Sequence, residues 1–325
     1  MTAATTTAPT GSMTATTTRP AKSKTLLTPV APPALQGEYA QARPVLLRGG
    51  SRLHLVLVGC GGTGSWLAPN LARLTAVLQQ AGRAVRLTFM DPDHITAGNV
   101  PRQNFCAAEI GGAKATALAL RYGRAWGLDI ATLCRPLEDR HLPLTSGEDL
   151  LILCGAVDNA AARRSLAATL ARHSRWNPNQ PKESPAAWWL DCGNAADTGQ
   201  VLFGSALEPA QLQWAFHPGT LCRALPAPSL QCPELLVDRP EEGTGAGISC
   251  AELMLLNAQS LMVNQAVAAA AGALLHRLLI AADLRIFATY LDLAAGSQKS
   301  LYTTPEAVSR FARKSDKAQY NVSGL

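Results

Sequence analysis

Leu53-His54-Leu55-Val56-Leu57-Val58-Gly59-Cys60-Gly61-Gly62-Thr63-Gly64 is the stretch that decides the fold. The run Leu53–Val58, aliphatic except at His54, suits a strand buried on both faces of a parallel sheet. The glycines complete a G-x-G-x-x-G turn, and Ser65–Gln80 follows with Trp66, Leu67, Leu71, Leu74 and Leu78 at helical spacing. Glycine permits a tight turn and close backbone approach. The free amides and the positive end of the helix dipole then favour a phosphate at Gly59, Gly61, Gly62 and Gly64.

Working outward, Val85–Met90 reads as a second strand and ends at Asp91, where a carboxylate can accept from ribose hydroxyls. Lys114–Trp126 reads as a helix, Leu150–Cys154 as a third buried strand, Asn159–Arg172 as a helix and Trp188–Asp191 as a further strand. This alternation predicts an α/β fold with a Rossmann-like, doubly wound, mainly parallel sheet. A long helix from about Ala251 to Leu279 and a strand pair near Arg285–Leu293 and Ser300–Thr303 close the domain. Segments 174–187 and 217–248, rich in proline or glycine, are expected to be long loops. Residues 1 to 45, dominated by Thr, Ala and Pro, are expected to form a flexible tail, with the domain spanning 46–325.

The bulk composition narrows the function. With 47% hydrophobic residues a deep core is available, and the net charge of +6 is spread without a nucleic-acid arm. The eight cysteines form no CxxC pair, which argues against structural zinc and a dithiol redox motif and fits a reducing cytoplasm. No export signal is expected, and the apolar part of Leu253–Leu275 is too short for a membrane span. The histidines show no ligand spacing, and Trp188 and Trp189 read as core or groove residues.

After Asp91 come Asp93 and Ile95, then Asn99, Arg102, Gln103 and, at a helix start, Gly112 and Lys114. This D-x-D-x-I…N-x-x-R-Q…K series resembles the adenylation signature of the ThiF/MoeB family and of ubiquitin-activating enzymes, a likeness spanning roughly residues 50 to 280. Charge supports it: a triphosphate carries about four negative charges, which Arg102 and Lys114 can offset, whereas hydride transfer makes no such demand. The resemblance implies ATP as cofactor, with Asp91 on the ribose, Asn99, Arg102 and Gln103 about the phosphates, and Lys114 on phosphates or ribose. Gly155-Ala156-Val157-Asp158-Asn159 is similar to the family's strand-end D-N step, which makes Asp158 the Mg²⁺ ligand. Asp158 as the N-cap of the next helix is an open alternative. Asp191-Cys192-Gly193 and Gly199-Gln200-Val201 resemble the family's next strands, so the sheet should end in mixed strands.

The same resemblance implies adenylation of the C-terminal carboxylate of a small ubiquitin-like or sulfur-carrier protein, followed in many members by a thioester. Cys250, in Ser249-Cys250-Ala251-Glu252, resembles the active cysteine at the head of the late helix, where a helix N-terminus lowers a thiol pKa. Cys222 and then Cys232 are rivals, and a chain with no catalytic thiol is equally open. A homodimer is implied, with Arg43, Arg48 or Arg52 completing the partner's site. Gln259, Asn264 and the missing zinc motif are similar to ThiF-like proteins of PRTRC mobile-element clusters. Two other classes stay in view: an NAD- or FAD-dependent oxidoreductase, and a non-catalytic nucleotide-binding scaffold.

Overall fold

The computed structural model describes, besides Thr2, residues 36–49, 52–143, 149–174, 184–217, 219–238 and 250–312, with only the backbone at 250–261. Parts of the expected loops (175–183 and 239–249) and the Cys250 and Gln259 side chains therefore lie outside the described residues. The compact unit begins at Gly37. Its helices are α1 (Gln36–Gln41), α2 (Gly62–Gln80), α3 (Lys114–Trp126), α4 (Ala160–His173), α5 (Pro228–Gln231), α6 (Cys250–Leu279) and α7 (Pro305–Ala312). The strands are β1 (Arg52–Val58), β2 (Ala84–Met90), β3 (Ile130–Leu133), β4 (Asp149–Gly155), β5 (Ala187–Asn194), β6 (Thr198–Gly204), β7 (Ile286–Asp292) and β8 (Ser297–Tyr302).

Among the described residues these strands form one sheet in the order β3-β2-β1-β4-β5-β6-β7-β8. The first five are parallel and β6, β7 and β8 run antiparallel, as the doubly wound reading with mixed C-terminal strands expected. From β1 the chain builds outward to β2 and β3, then returns to β4 on the other side. The C-terminal ends of β1 and β4 therefore flank a topological switch, where open α/β sheets form their ligand crevice.

Both faces of the parallel strands are covered. Leu53, Leu55 and Leu57 of β1 join Leu150, Ile152 and Cys154 of β4 in one core with α2, α3 and α6 residues. Val56, Val58, Leu151 and Leu153 face the opposite way and meet Leu166 and Leu170 of α4. The period of two along a strand thus divides an apolar run between two cores. Trp188 stacks on Phe203 at 4.9 Å, and both are fully buried.

The chain departs from expectation at several places. Segment 42–46 is stitched into the compact unit. Arg43 N donates to Thr303 O, Val45 N to Leu284 O, and Leu46 N and Cys222 N pair with Cys222 O and Pro44 O. The expected loop at 217–248 contains α5 and a 3-10 turn at Pro233–Leu236, each opened by a proline whose missing amide costs nothing at that position. The four-residue β3 and the amphipathic α7 were not expected at all. Among the described residues, no helix is long and apolar enough to cross a membrane.

Candidate active site

A cleft of about 1120 Å³ opens at the C-terminal ends of β1, β2 and β4. The glycine turn forms its floor. Gly59 adopts φ +87°, and a Cβ there would lie 2.5 Å from Ala156 O, so only glycine fits. Gly61 and Gly62 line the cleft, whereas Gly64 faces away from it. A Cβ on Gly64 would collide with Gly59 O and come 3.3 Å from Ala156 Cβ, so this glycine lets α2 approach the β1 and β4 ends.

Asp91, 5% exposed, ends β2 and braces that turn. Its Oδ2 accepts from Cys60 N at 2.6 Å and its Oδ1 from Asp93 N at 2.8 Å. Burial raises its pKa, while the two amides and Lys114 oppose the rise. The two motif halves meet because Asp93–Ile95 zips to Gly111–Lys114 through Ile95 N to Gly112 O, Gly111 N to Ile95 O and Lys114 N to Asp93 O. Lys114, 7% exposed, thereby reaches Asp93 with Nζ to Oδ2 at 2.8 Å.

Asn99, Arg102 and Gln103 enter the cleft from a 3-10 turn. Asn99 Oδ1 accepts from Thr96 N at 2.9 Å, which leaves its Nδ2 donor for a ligand. Gln103 is 6% exposed, and its Oε1 finds no partner among the described residues. A buried acceptor without a donor is costly, and in a cleft wall it fits a bound group that donates to it.

Sequence reasoning passed over the residue that holds this segment. Pro69 sits within α2 and supplies no amide to the carbonyl of Ser65 four residues earlier. Asn104 fills the gap: its Nδ2 donates to Ser65 O at 3.2 Å, and its backbone N donates to Ser65 Oγ at 2.9 Å. Nδ2 also donates to Tyr122 OH at 2.8 Å, and Arg121 Nη1 donates to Asn104 O at 2.7 Å. Asn104 thus clamps the turn carrying Arg102 and Gln103 between α2 and α3. A mid-helix proline beside a polar motif was the available signal.

Asp158 lies on the cleft rim, exposed, just beyond β4. Asp158 is not the N-cap of α4: Asn159 holds that position, its Oδ1 accepting from Ala162 N at 2.8 Å. Asn159 Nδ2 donates to Asp158 Oδ1 at 3.2 Å, which steadies the carboxylate without neutralising it. Behind it, Arg163 donates to Val157 O at 2.8 Å and to both oxygens of the fully buried Asp191 at 3.3 Å. Burial pushes the Asp191 carboxyl up to about 6 even though Arg163 opposes it.

Asn264 of α6, 4% exposed, latches the roof of the cleft. Its Oδ1 accepts from Thr63 Oγ1 at 2.8 Å and from Asn194 Nδ2 at 3.2 Å. Arg135, after β3, adds a third cation beside Arg102 and Lys114. Three carboxylates, Asp91, Asp93 and Asp158, also line the cleft. A bare polyphosphate would be repelled by Asp158, whereas a divalent cation shared between that carboxylate and phosphate oxygens fits the donor set.

Cys222 and Cys232 stand apart from the cleft lining. Cys222 is fully buried against the segment around Val45, its Sγ donates to Ala224 O, and burial pushes its thiol up to about 12. Cys232 is half-buried and pushed to about 11, chiefly by burial with Glu234 adding to it. Both shifts run opposite to what a nucleophilic thiol requires. Cys250 is the first residue of α6. Arg43 donates to Gly219 O and sits 5.5 Å over the Phe216 ring, while Arg52 pairs with Asp149 at the opposite end of the sheet.

The strand order, the crevice at the switch point and the glycine turn define a Rossmann-like protein whose cleft combines phosphate-type and metal-type donors. Within that class, residues 47–177, from the approach to β1 past the end of α4, match the model of the ThiF family. Solved structures similar to the chain include E. coli MccB with AMPCPP and MccA, at 13% identity, 77% coverage of this chain, 64% of that chain and TM-score 0.45. PaaA stands at 15% identity, 77% and 64% coverage and TM-score 0.44, and E. coli MccB with ATP at 13%, 82%, 68% and 0.44. The chain spans less than two thirds of the length of the first two. A comparison with curated proteins gives no match.

Proposed function

We propose that the chain uses ATP to adenylate a carboxylate, and that the carboxylate is the C-terminus of a small ubiquitin-like or sulfur-carrier protein, as in PRTRC-type clusters. One observation carries this reading: Gly59, Gly61, Gly62, Asn99, Arg102, Lys114 and Asp158 line the same cleft. An oxidoreductase would leave that cation and carboxylate set without a task.

In the reaction, a carboxylate oxygen of the carrier attacks the α-phosphorus of ATP. The new O–P bond forms as the bond to the bridging oxygen breaks, and pyrophosphate leaves. Amides at Gly61 and Gly62 hold phosphate oxygens at the positive end of α2. Asp91 keeps lone pairs for the ribose while its amide bonds fix the turn. Arg102 offsets charge that grows on the α-phosphate, and Lys114 exchanges Asp93 for a phosphate oxygen. Asp158 would hold Mg²⁺, which neutralises phosphate charge when bound.

Cys250 is assigned as acyl acceptor, because it opens α6 and a helix N-terminus favours the thiolate. Its sulfur attacks the acyl carbonyl, a C–S bond forms and AMP leaves. The chain acts as a homodimer in which Arg48 completes the partner's cleft, since Arg43 and Arg52 are engaged within their own chain.

Carrier-dependent exchange of labelled pyrophosphate into ATP tests the reading. Exchange is expected in the wild type and lost in Arg102→Ala and Asp158→Ala. Its absence with every carrier encoded beside this chain, while ATP still binds, overturns the catalytic assignment. A Cys250→Ser protein should keep exchange and lose the carrier thioester seen by intact mass.

A further inference from the structure

At the other end of the sheet, where β1 and β2 begin, lies a second cavity of about 570 Å³. Its charged and polar lining comprises Arg52, His54, Gln79, Arg83, Arg86 and Asp149. Seven residues of β1 at about 3.3 Å each separate it from the glycine turn, so the two sites lie roughly 20 Å apart.

The charges in it do not cancel. Arg52 and Asp149 bind each other through two contacts of 2.8 and 3.0 Å. Neither Arg83 nor Arg86 has a carboxylate partner among the described residues. Arg83 is also partly buried, and that burial lowers its pKa with no carboxylate opposing it. Register places Arg86 beside His54, whose Nε2 meets Thr88 Oγ1 at 2.9 Å. His54 is held down to about 4 by burial, then by Arg86 and by His173 of α4, against a weaker pull from Asp149. Among the described residues the pocket therefore presents, at neutral pH, two guanidinium groups without a carboxylate partner and a neutral imidazole. Leu53, Ala84, Val85 and Pro143 supply apolar wall.

We propose that this cavity is a second ligand site, for a phosphate monoester. Two guanidinium forks match the charge and the oxygen geometry of a dianionic phosphate. The remaining volume and the apolar wall accommodate an organic body, which a free phosphate lacks. The site does not depend on the reading of the nucleotide cleft.

The test titrates the full-length protein with glycerol 3-phosphate and, separately, inorganic phosphate, with sodium chloride at matched ionic strength as control. The His54 ring signals are followed by NMR. A saturable shift with a rise in the His54 pKa is expected, because a bound dianion offsets the Arg86 charge. Affinity should fall about tenfold or more in Arg83→Gln/Arg86→Gln, with ATP binding unchanged. Tighter binding of glycerol 3-phosphate than of phosphate supports the monoester, and the reverse order overturns that assignment in favour of free phosphate. Shifts that follow only ionic strength, or that persist equally in the double variant, overturn the site itself.

Discussion

Replacing Asn104 by alanine tests how the cleft is built. Ser65 is fully buried, and its carbonyl has lost its helical donor to Pro69, so the Asn104 amide is its substitute. Alanine removes that bond and the one to Tyr122 OH, at about 1 kcal/mol each. Stranding a buried carbonyl adds roughly 1–2 kcal/mol, for a total of about 3–4 kcal/mol. In a Pro69→Ala background the backbone amide restored at that position can reach Ser65 O, so Asn104→Ala should cost about 1 kcal/mol less. Urea unfolding of the wild type, both single variants and the double variant gives this coupling directly. ATP affinity should follow it, falling in Asn104→Ala as Arg102 and Gln103 lose their anchor and partly recovering in the double variant. Additivity of the two substitutions within about 0.5 kcal/mol would refute the reasoning.

Other perturbations probe neighbouring contacts. Gly64→Ala places a methyl group against Gly59 O and Ala156 Cβ, both on rigid backbone; a loss of about 2–3 kcal/mol by urea unfolding is expected, with ATP binding impaired. Asn264→Ala frees Thr63 and Asn194 from their shared acceptor, and calorimetry should record ATP binding weakened about tenfold. Asp191 makes stability depend on pH. Its folded pKa of about 6 exceeds that of the unfolded carboxyl, so its contribution is complete below about pH 4 and is lost as pH rises through 6. That swing is of the order of 3 kcal/mol; an Asp191 carboxyl titrating below pH 4 in a carbon-detected NMR experiment would contradict it.

Much of this architecture is local in the chain and was therefore readable. The run at Leu53–Val58 splits between two cores, and the glycine turn stands between strand and helix, because period and turn chemistry are properties of neighbouring residues. The polar series from Asp91 to Lys114 was readable as a set, since its halves zip together over a short separation. What escaped reading is either short or distant in sequence. The strand Ile130–Leu133 has too few residues to display a period. The Thr63–Asn264 bond joins residues 201 positions apart, and no local pattern announces it. Cys222 looked like a loop thiol until its backbone pairing with the segment around Val45 put it in the core. At the α4 start, Asp158 and Asn159 are both good caps by type, and only geometry assigns the cap to Asn159 and leaves Asp158 to the cleft.

The central claim is that one cleft holds ATP on the amides of the glycine turn. Amide NMR spectra recorded during titration with ATP and magnesium, and in parallel with NADH, address it most directly. The account predicts saturable shifts at Gly59–Gly64, Asp91 and Asp158 with ATP, weakened in Arg102→Ala and Lys114→Ala, and none with NADH. Saturation by NADH at the same amides, or ATP shifts that leave the glycine turn untouched, would contradict it.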